Sequence, residues 1–204
     1  MTGDLSQDLS AEAYHALREM MADTPAPIYC LPGNHDDREM MQEILDSAPF
    51  QYRGAPRLGN WLLPMLDTWD GDRAGGLVGT DGLAALDKQL SESTLPYALV
   101  CLHHQAVPVE CKWLDSVGLD DAEDLMTLLR SHSNVRGVVW GHVHQEFESS
   151  AGDIRLMGSP STCYQFLPHK DTFDIDDLPA GYRRICLSDD GQIDSQVMWV
   201  ADDP

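Results

Sequence analysis

The sequence predicts an α/β fold that finishes in an antiparallel section, and three observations carry that expectation. Apolar strand-like runs alternate with helix-period stretches as far as Trp140. Two of those runs, Tyr97–His103 (YALVCLH) and Val135–Trp140 (VRGVVW), are short, apolar and bounded by turn signals, as buried strands are. Beyond Trp140 the strand signals follow one another with no helical stretch between them.

The elements follow in chain order. Ser10 stands as N-cap of a helix over about 11–22, with Glu12 early and Arg18 late as the helix dipole prefers. Residues 27–31 (PIYCL) form a short buried strand closed by Pro32-Gly33. A helix over Asp37–Ser47 carries Met40, Met41, Ile44 and Leu45 at helical spacing, a stripe that reads as core. Trp61–Thr68 is strand-like and Thr80–Ser93 helical, with a flexible, glycine-rich loop at 70–79 between them. The strand 97–103 precedes an amphipathic helix over Asp120–His132, whose first turn is acidic. Ile154–Met157, Tyr182–Leu187 and Gln192–Val200 complete the strands, the last two joined by Ser188-Asp189-Asp190-Gly191, a hairpin signal. The stretch 168–181 is irregular, and its acidic part 171–177 reads as a solvated face.

Length and composition set the outer limits. A chain of 204 residues suits one domain, burying roughly 70% of its unfolded surface. No repeat, low-complexity tract or linker divides it. Thirteen Lys and Arg against 34 Asp and Glu give a net charge of −21. That balance argues against a nucleic-acid footprint and against docking to anionic membranes. No run approaches the roughly 18 apolar residues of a membrane span. Five scattered cysteines without a Cys-x-x-Cys pair read as reduced thiols, and the acidic N-terminus is unlike a signal peptide. A cytoplasmic setting is expected.

Three histidine-bearing clusters fall where buried strands end: Gly33-Asn34-His35-Asp36, His103-His104, and Gly141-His142-Val143-His144, with Gly3-Asp4 added at the N-terminus. Sheets with parallel strands gather their ligand sites at the carboxyl ends of those strands, so the four groups are expected to converge. Carboxylate, amide oxygen and imidazole form a mixed donor set that suits Mn, Fe, Zn or Co and differs from a thiolate zinc site. Adjacent strand residues point to opposite sides, so only one of His103 and His104 is expected to be a ligand. His15, His132 and His169 read as structural or solvated.

The ordered strings GD, GNHD, LHH and GHVH resemble the calcineurin-like metallophosphoesterase superfamily. LPGNHD, the CKWLD stretch at 111–115, WGHVHQE, SPSTCYQFLPH at 159–169 and the closing AGYR and DG segments are similar to the bacterial class III 3′,5′-cyclic AMP phosphodiesterases within it. The resemblance implies a β-sandwich flanked by helices, in αββα layers, forming one catalytic domain over residues 1–204. It implies two divalent metal ions, with Asp4 bridging them, Asn34, His103 and His142 ligating the second, and His144 ligating the first. It further implies hydrolysis of a cyclic nucleotide by metal-activated water, with His35 assisting the leaving oxygen. No nucleic-acid or membrane partner is implied, and no oligomeric state.

Two departures accompany the resemblance. No Asp-x-His occurs in these 204 residues, and the chain opens within the second motif. By the family pattern the N-terminal strand or strands are missing, the chain is an N-terminally truncated form, and the first metal site, left with Asp4 and His144, is weak. Gln105-Ala106 stands where relatives carry Pro or His. Two further readings stay open: a phosphoesterase for another small diester, and an inactive nucleotide- or metal-binding fragment.

Overall fold

Strand–helix alternation is the organising pattern of the computed structural model, which describes residues 1–71 and 73–200. Asp72, inside the loop expected at 70–79, and the last four residues of the expected domain lie outside the described residues. In chain order the elements are α1 (Ala11–Met20), β1 (Ile28–Cys30), α2 (Arg38–Leu45), β2 (Phe50–Tyr52), β3 (Arg57–Leu58), β4 (Trp61–Leu62), α3 (Gly79–Glu92), β5 (Tyr97–Leu102), α4 (Lys112–Asp115), α5 (Ala122–Ser131) and β6 (Val135–Trp140). Then come β7 (Phe147–Ala151), β8 (Ile154–Gly158), β9 (Gln165–Phe166), β10 (Ile175–Asp176), β11 (Gly181–Leu187) and β12 (Ile193–Trp199).

A mixed six-stranded sheet in the order β3-β4-β5-β6-β8-β7 forms the frame. Its central pairs β4–β5, β5–β6 and β6–β8 are parallel, and its two outer pairs are antiparallel. The period-two alternation of β5 and β6 is buried on both faces. Val100, Leu102, Val138 and Trp140 pack with Leu86 and Leu90 of α3 and Leu125 and Leu129 of α5. Leu99, Cys101, Val139 and Met157 face the other way, onto Leu31, Trp61 and Ile193. Ile185 and Leu187 of the β11–β12 hairpin close that second cluster.

Outside it, α1 and α2 set Tyr14, Met41 and Leu45 on Ile28, Cys30, Phe50 and Tyr52 of the parallel pair β1–β2. The result is α/β, with helices on both sides of stacked β layers. The second β layer is two separate two-stranded pieces, β1–β2 and β11–β12, and not one sheet. The free edge of β1 is occupied by Met1, whose amino group donates to the Tyr29 carbonyl (2.7 Å) and whose carbonyl accepts from Leu31 N (3.3 Å). Among the described residues no helix is long and apolar enough to cross a membrane.

Several expectations need correction. The strand expected over 61–68 is regular only at Trp61–Leu62. Pro64 has no N–H to give to a ladder, and the chain continues beside β5 through a single bridge from Met65 to Cys101. Ser10 occupies the N-cap position, but its hydroxyl makes no cap. The turn before α1 is closed by Ser6 and Asp8, whose side chains accept from Ser10 N at 3.1 and 3.2 Å. Asp37 does cap α2, accepting from Met40 N at 2.9 Å. The 70–79 loop is tied down over its described part: Asp121 accepts from Val78 N and Gly79 N, and Arg73 pairs with Asp70 and Asp120. Cys30, Cys101 and Cys111 are buried, and Cys163 and Cys186 are exposed.

Arg183 anchors the hairpin. Its guanidinium, 1% exposed, donates to Glu148, Ser195 and the carbonyls of Phe147 and Gly158, fixing β11 to β7 and β8.

Candidate metal centre

Gly3 and Gly33 let the N-terminal segment and the turn after β1 touch. A Cβ on Gly33 would lie 2.5 Å from Asp4 N and collide with the Asp4 carboxylate. One on Gly3, where φ is +93°, would lie 2.5 Å from both Gly33 N and the His103 ring. No side chain fits either place. The Asp4 carboxylate then accepts from His35 N (3.0 Å), which fixes the turn after β1 against the N-terminal segment.

The Asp36 carboxylate ties the same parts from below. Fully buried, it accepts from Leu5 N, Ser6 N and the Tyr14 hydroxyl, each at 3.0 Å, and from Gly33 N at 2.9 Å. Burial pushes its pKa up, while the bonds from Gly33 and Ser6 oppose the rise. Tyr14 also accepts from Asp37 N at 2.9 Å. Tyr14→Phe would strip a donor from a buried carboxylate and an acceptor from an amide. The expected loss is about 2 kcal/mol of folding stability, read from urea denaturation; a change of less than about 0.5 kcal/mol would mean that this clamp does not hold the turn.

Against this base the carboxyl ends of β5 and β6 add two rings. His103 Nδ1 lies 2.6 Å from the Thr2 carbonyl, so that nitrogen carries the proton and Nε2 presents a lone pair. Nε2 faces Asn34 Oδ1 at 3.1 Å, Asp4 Oδ2 at 3.3 Å and His142 Nδ1 at 3.2 Å. Asn34 Oδ1 and His142 Nδ1 are 3.0 Å apart. Acceptors gathered this tightly need a proton or a cation at their centre. Spacings near 3 Å are also those between ligands of an ion held at about 2.1 Å. His142 Nε2 is buried without a hydrogen-bond partner of good geometry. The donor set fits a divalent cation.

The electrostatics agree. Burial opposes ionisation of Asp4, yet His103 beside it and the bond from His35 N hold its carboxyl well below the usual range. Burial also works against charge on His103, but Asp4 outweighs it and raises the ring's affinity for positive charge. Burial drives His142 down to about 3, assisted by His103, so this ring is neutral and free to ligate. His144 is lowered by burial too, against the pull of the Tyr164 carbonyl.

Four of the expected ligands, Asp4, Asn34, His103 and His142, therefore come together, and His144 stands apart from them. Its Nδ1 meets the Tyr164 carbonyl at 2.9 Å and its ring stacks on Phe166, centroids 4.2 Å apart and planes 7° off parallel. The fields of Asp4, His103 and His35 still reach it. His35 is exposed, and its Nδ1 lies 3.2 Å from Gln7 Nε2, a donor that leaves the ring proton on Nε2. Asp4, His142 and His144 all have positive φ (55°, 59° and 48°), a backbone strain of order 1 kcal/mol each.

The opposite-sides expectation for His103 and His104 needs amending. Both residues follow the last residue of β5, where strand alternation no longer applies. His104 lies beside the cluster, its ring 4.7 Å from that of His142. Its nitrogens are engaged, Nδ1 with Thr68 Oγ1 at 2.8 Å and Nε2 with the Ala74 carbonyl at 3.3 Å, so it forms a wall. Tyr14, Thr68 and Gln7 escape a motif reading, because each acts through a contact 22 to 36 residues away in the chain.

Comparisons with known proteins point one way. Residues 1–146 match the family described as calcineurin-like phosphoesterase. The 3′,5′-cyclic adenosine monophosphate phosphodiesterase CpdA of Pseudomonas aeruginosa is 36% identical over 201 residues, covering 98% of this chain and 74% of the relative. Its namesake from Escherichia coli K12 is 35% identical over 202 residues, with the same two shares. Among solved structures, a dimetal phosphatase from Danio rerio superposes with a TM-score of 0.59 at 16% identity, over 93% of this chain and 79% of the other, a likeness of fold.

Proposed function

Because the chain belongs to the calcineurin-like phosphoesterase family, we propose that it hydrolyses 3′,5′-cyclic AMP to 5′-AMP. Divalent metal ions would be held by Asp4, Asn34, His103 and His142, with His144 and Asp4 offering a second, weaker position. The observation that carries this reading is the set of acceptor atoms 3.0–3.3 Å apart at the ends of β1, β5 and β6, beside an exposed histidine. Relatives named as cyclic AMP phosphodiesterases, similar over nearly the whole chain, support the substrate. When bound, divalent cations supply neutralisation of the diester's charge and a lowered pKa for the attacking water.

The rest falls to the chain's own groups. Asp4 orients the turn that carries His35, and Gln7 keeps the ring proton on Nε2. Water oxygen bonds to phosphorus in line with the departing 3′-oxygen, the P–O3′ bond breaks, the His35 Nε2 proton passes to that oxygen, and the proton shed by the water returns the ring to its neutral form. His104, buried and kept neutral chiefly by burial, excludes solvent from one side.

The test is metal content measured together with turnover of cyclic AMP. The expected result is 5′-AMP formation that EDTA abolishes and added metal restores. Turnover of methyl p-nitrophenyl phosphate with none of cyclic AMP would overturn the substrate. A folded, metal-loaded protein that turns over neither would overturn the enzyme reading.

A further inference from the structure

A cleft of about 680 Å³ opens beside Asn34 and His35, between the N-terminal segment, the start of α2 and Trp69. That volume suits a small ligand. Its polar furniture is unusual for so acidic a chain. Arg38 and Arg53 both line it, and both are tied to one carboxylate, Asp67, at 3.0 and 2.7 Å. Arg38 also lies over the Trp69 ring, its guanidinium carbon 5.5 Å from the centroid, with 40% of the side chain exposed. Trp69 is itself fixed, donating from Nε1 to the Asp36 carbonyl at 3.0 Å and from its backbone N to Asp67 at 3.0 Å. The ring, the guanidinium and the carboxylate form a rigid stack joined to the turn that carries His35.

The chemistry of a cyclic diester says what this stack faces. The departing 3′-oxygen stays on the ribose that also bears the 5′-oxygen, so the nucleoside remains beside whichever group protonates it. With His35 in that role, the base must occupy the space next to His35. On the reading given under Proposed function, we propose that this cleft is the nucleoside subsite and that Arg38, stacked on Trp69, is the platform on which the purine ring lies. Guanidinium planes and aromatic faces both stack on bases. A platform already immobilised by Asp67 and Trp69 loses little freedom when a base settles on it. Arg38 is thus a specificity-determining residue, one that distinguishes a nucleotide from a plain diester without touching the reacting atoms.

The test uses Arg38→Ala, a half-exposed position at the start of α2, with Arg38→Lys as the variant that keeps charge without the plane. KM for cyclic AMP should rise about tenfold in Arg38→Ala, the effect of losing one base-stacking contact, with kcat changed less than twofold. The dissociation constant of 5′-AMP, measured by equilibrium dialysis with Mn²⁺ present, should rise by the same factor, and this readout needs no turnover. Arg38→Lys should resemble Arg38→Ala; full rescue by lysine would overturn stacking in favour of simple charge. Unchanged KM and 5′-AMP binding would also overturn the assignment and point to the exposed Tyr164 and Phe173 beyond His144 as the base's support. Equal losses against cyclic AMP and methyl p-nitrophenyl phosphate would overturn it as well, showing that the variant disturbs the metal centre. Failure of the unaltered chain to bind or hydrolyse cyclic AMP while it hydrolyses the small diester would remove the substrate reading and the subsite together. An active unaltered chain, with KM for cyclic AMP and affinity for 5′-AMP both unchanged in Arg38→Ala, would remove the subsite alone.

Discussion

Asn34→Ala empties the metal centre and abolishes turnover. The amide oxygen sits 3.1 Å from His103 Nε2 and 3.0 Å from His142 Nδ1, so its loss opens the middle of the donor set. Substitutions one layer out from a metal ligand cost about 10–100-fold in affinity or activity, and removing a donor from inside the set should cost at least about 100-fold. Dialysed protein should retain far less metal than the unaltered chain. The fold should survive, because Asn34 is half-buried and its carboxamide supports no other bond on which the core depends. Unchanged metal stoichiometry would remove Asn34 from the ligand set and leave the acceptor cluster unexplained.

His35→Ala gives the opposite dissociation of metal from turnover. Its exposed ring makes no contact with the acceptors at the centre; only its backbone N–H does, by donating to Asp4, and alanine keeps that bond. Loss of a general acid should lower turnover about 10²–10⁴-fold while metal content stays as in the unaltered protein. A smaller deficit for a diester whose leaving group needs no proton would identify the lost step as protonation. Metal lost in parallel with activity would instead make His35 a ligand. The two variants, measured side by side, separate holding the cation from using it.

The parts of this architecture that were legible in the sequence are those in which one physical demand dominates. Strands β5 and β6 are buried on both faces over most of their length, so apolar residues dominate, Arg136 near the start of β6 excepted, and the run stands out. β7 (FESSA) is equally regular but lies at the sheet edge with its middle exposed, and its polar residues carry no period. Pro64 interrupts a run whose composition is otherwise that of a strand. The 70–79 loop misleads for a different reason. Its glycines signal flexibility, whereas Gly76 is pressed against the His104 ring, where a Cβ would collide. At the metal centre the strand-end motifs identify the four converging donors, because each stands next to its own turn. Their supports stay hidden in sequence: the Tyr14–Asp36 clamp, the Thr68–His104 bond and the Arg38–Trp69 stack join residues with no sequence neighbourhood in common.

The donor set has a consequence for when the cation can arrive. Its members are brought together across 39 to 108 residues of chain, so the centre exists only after β1, β5 and β6 have found one another. Contacts that span such separations close late in folding, after local turns and helices. A cation therefore cannot nucleate this fold. A cation held there would act as a latch, slowing the opening of the finished chain and leaving its rate of closing almost untouched. A chelator, by the same logic, shortens the life of the folded molecule without hindering its birth.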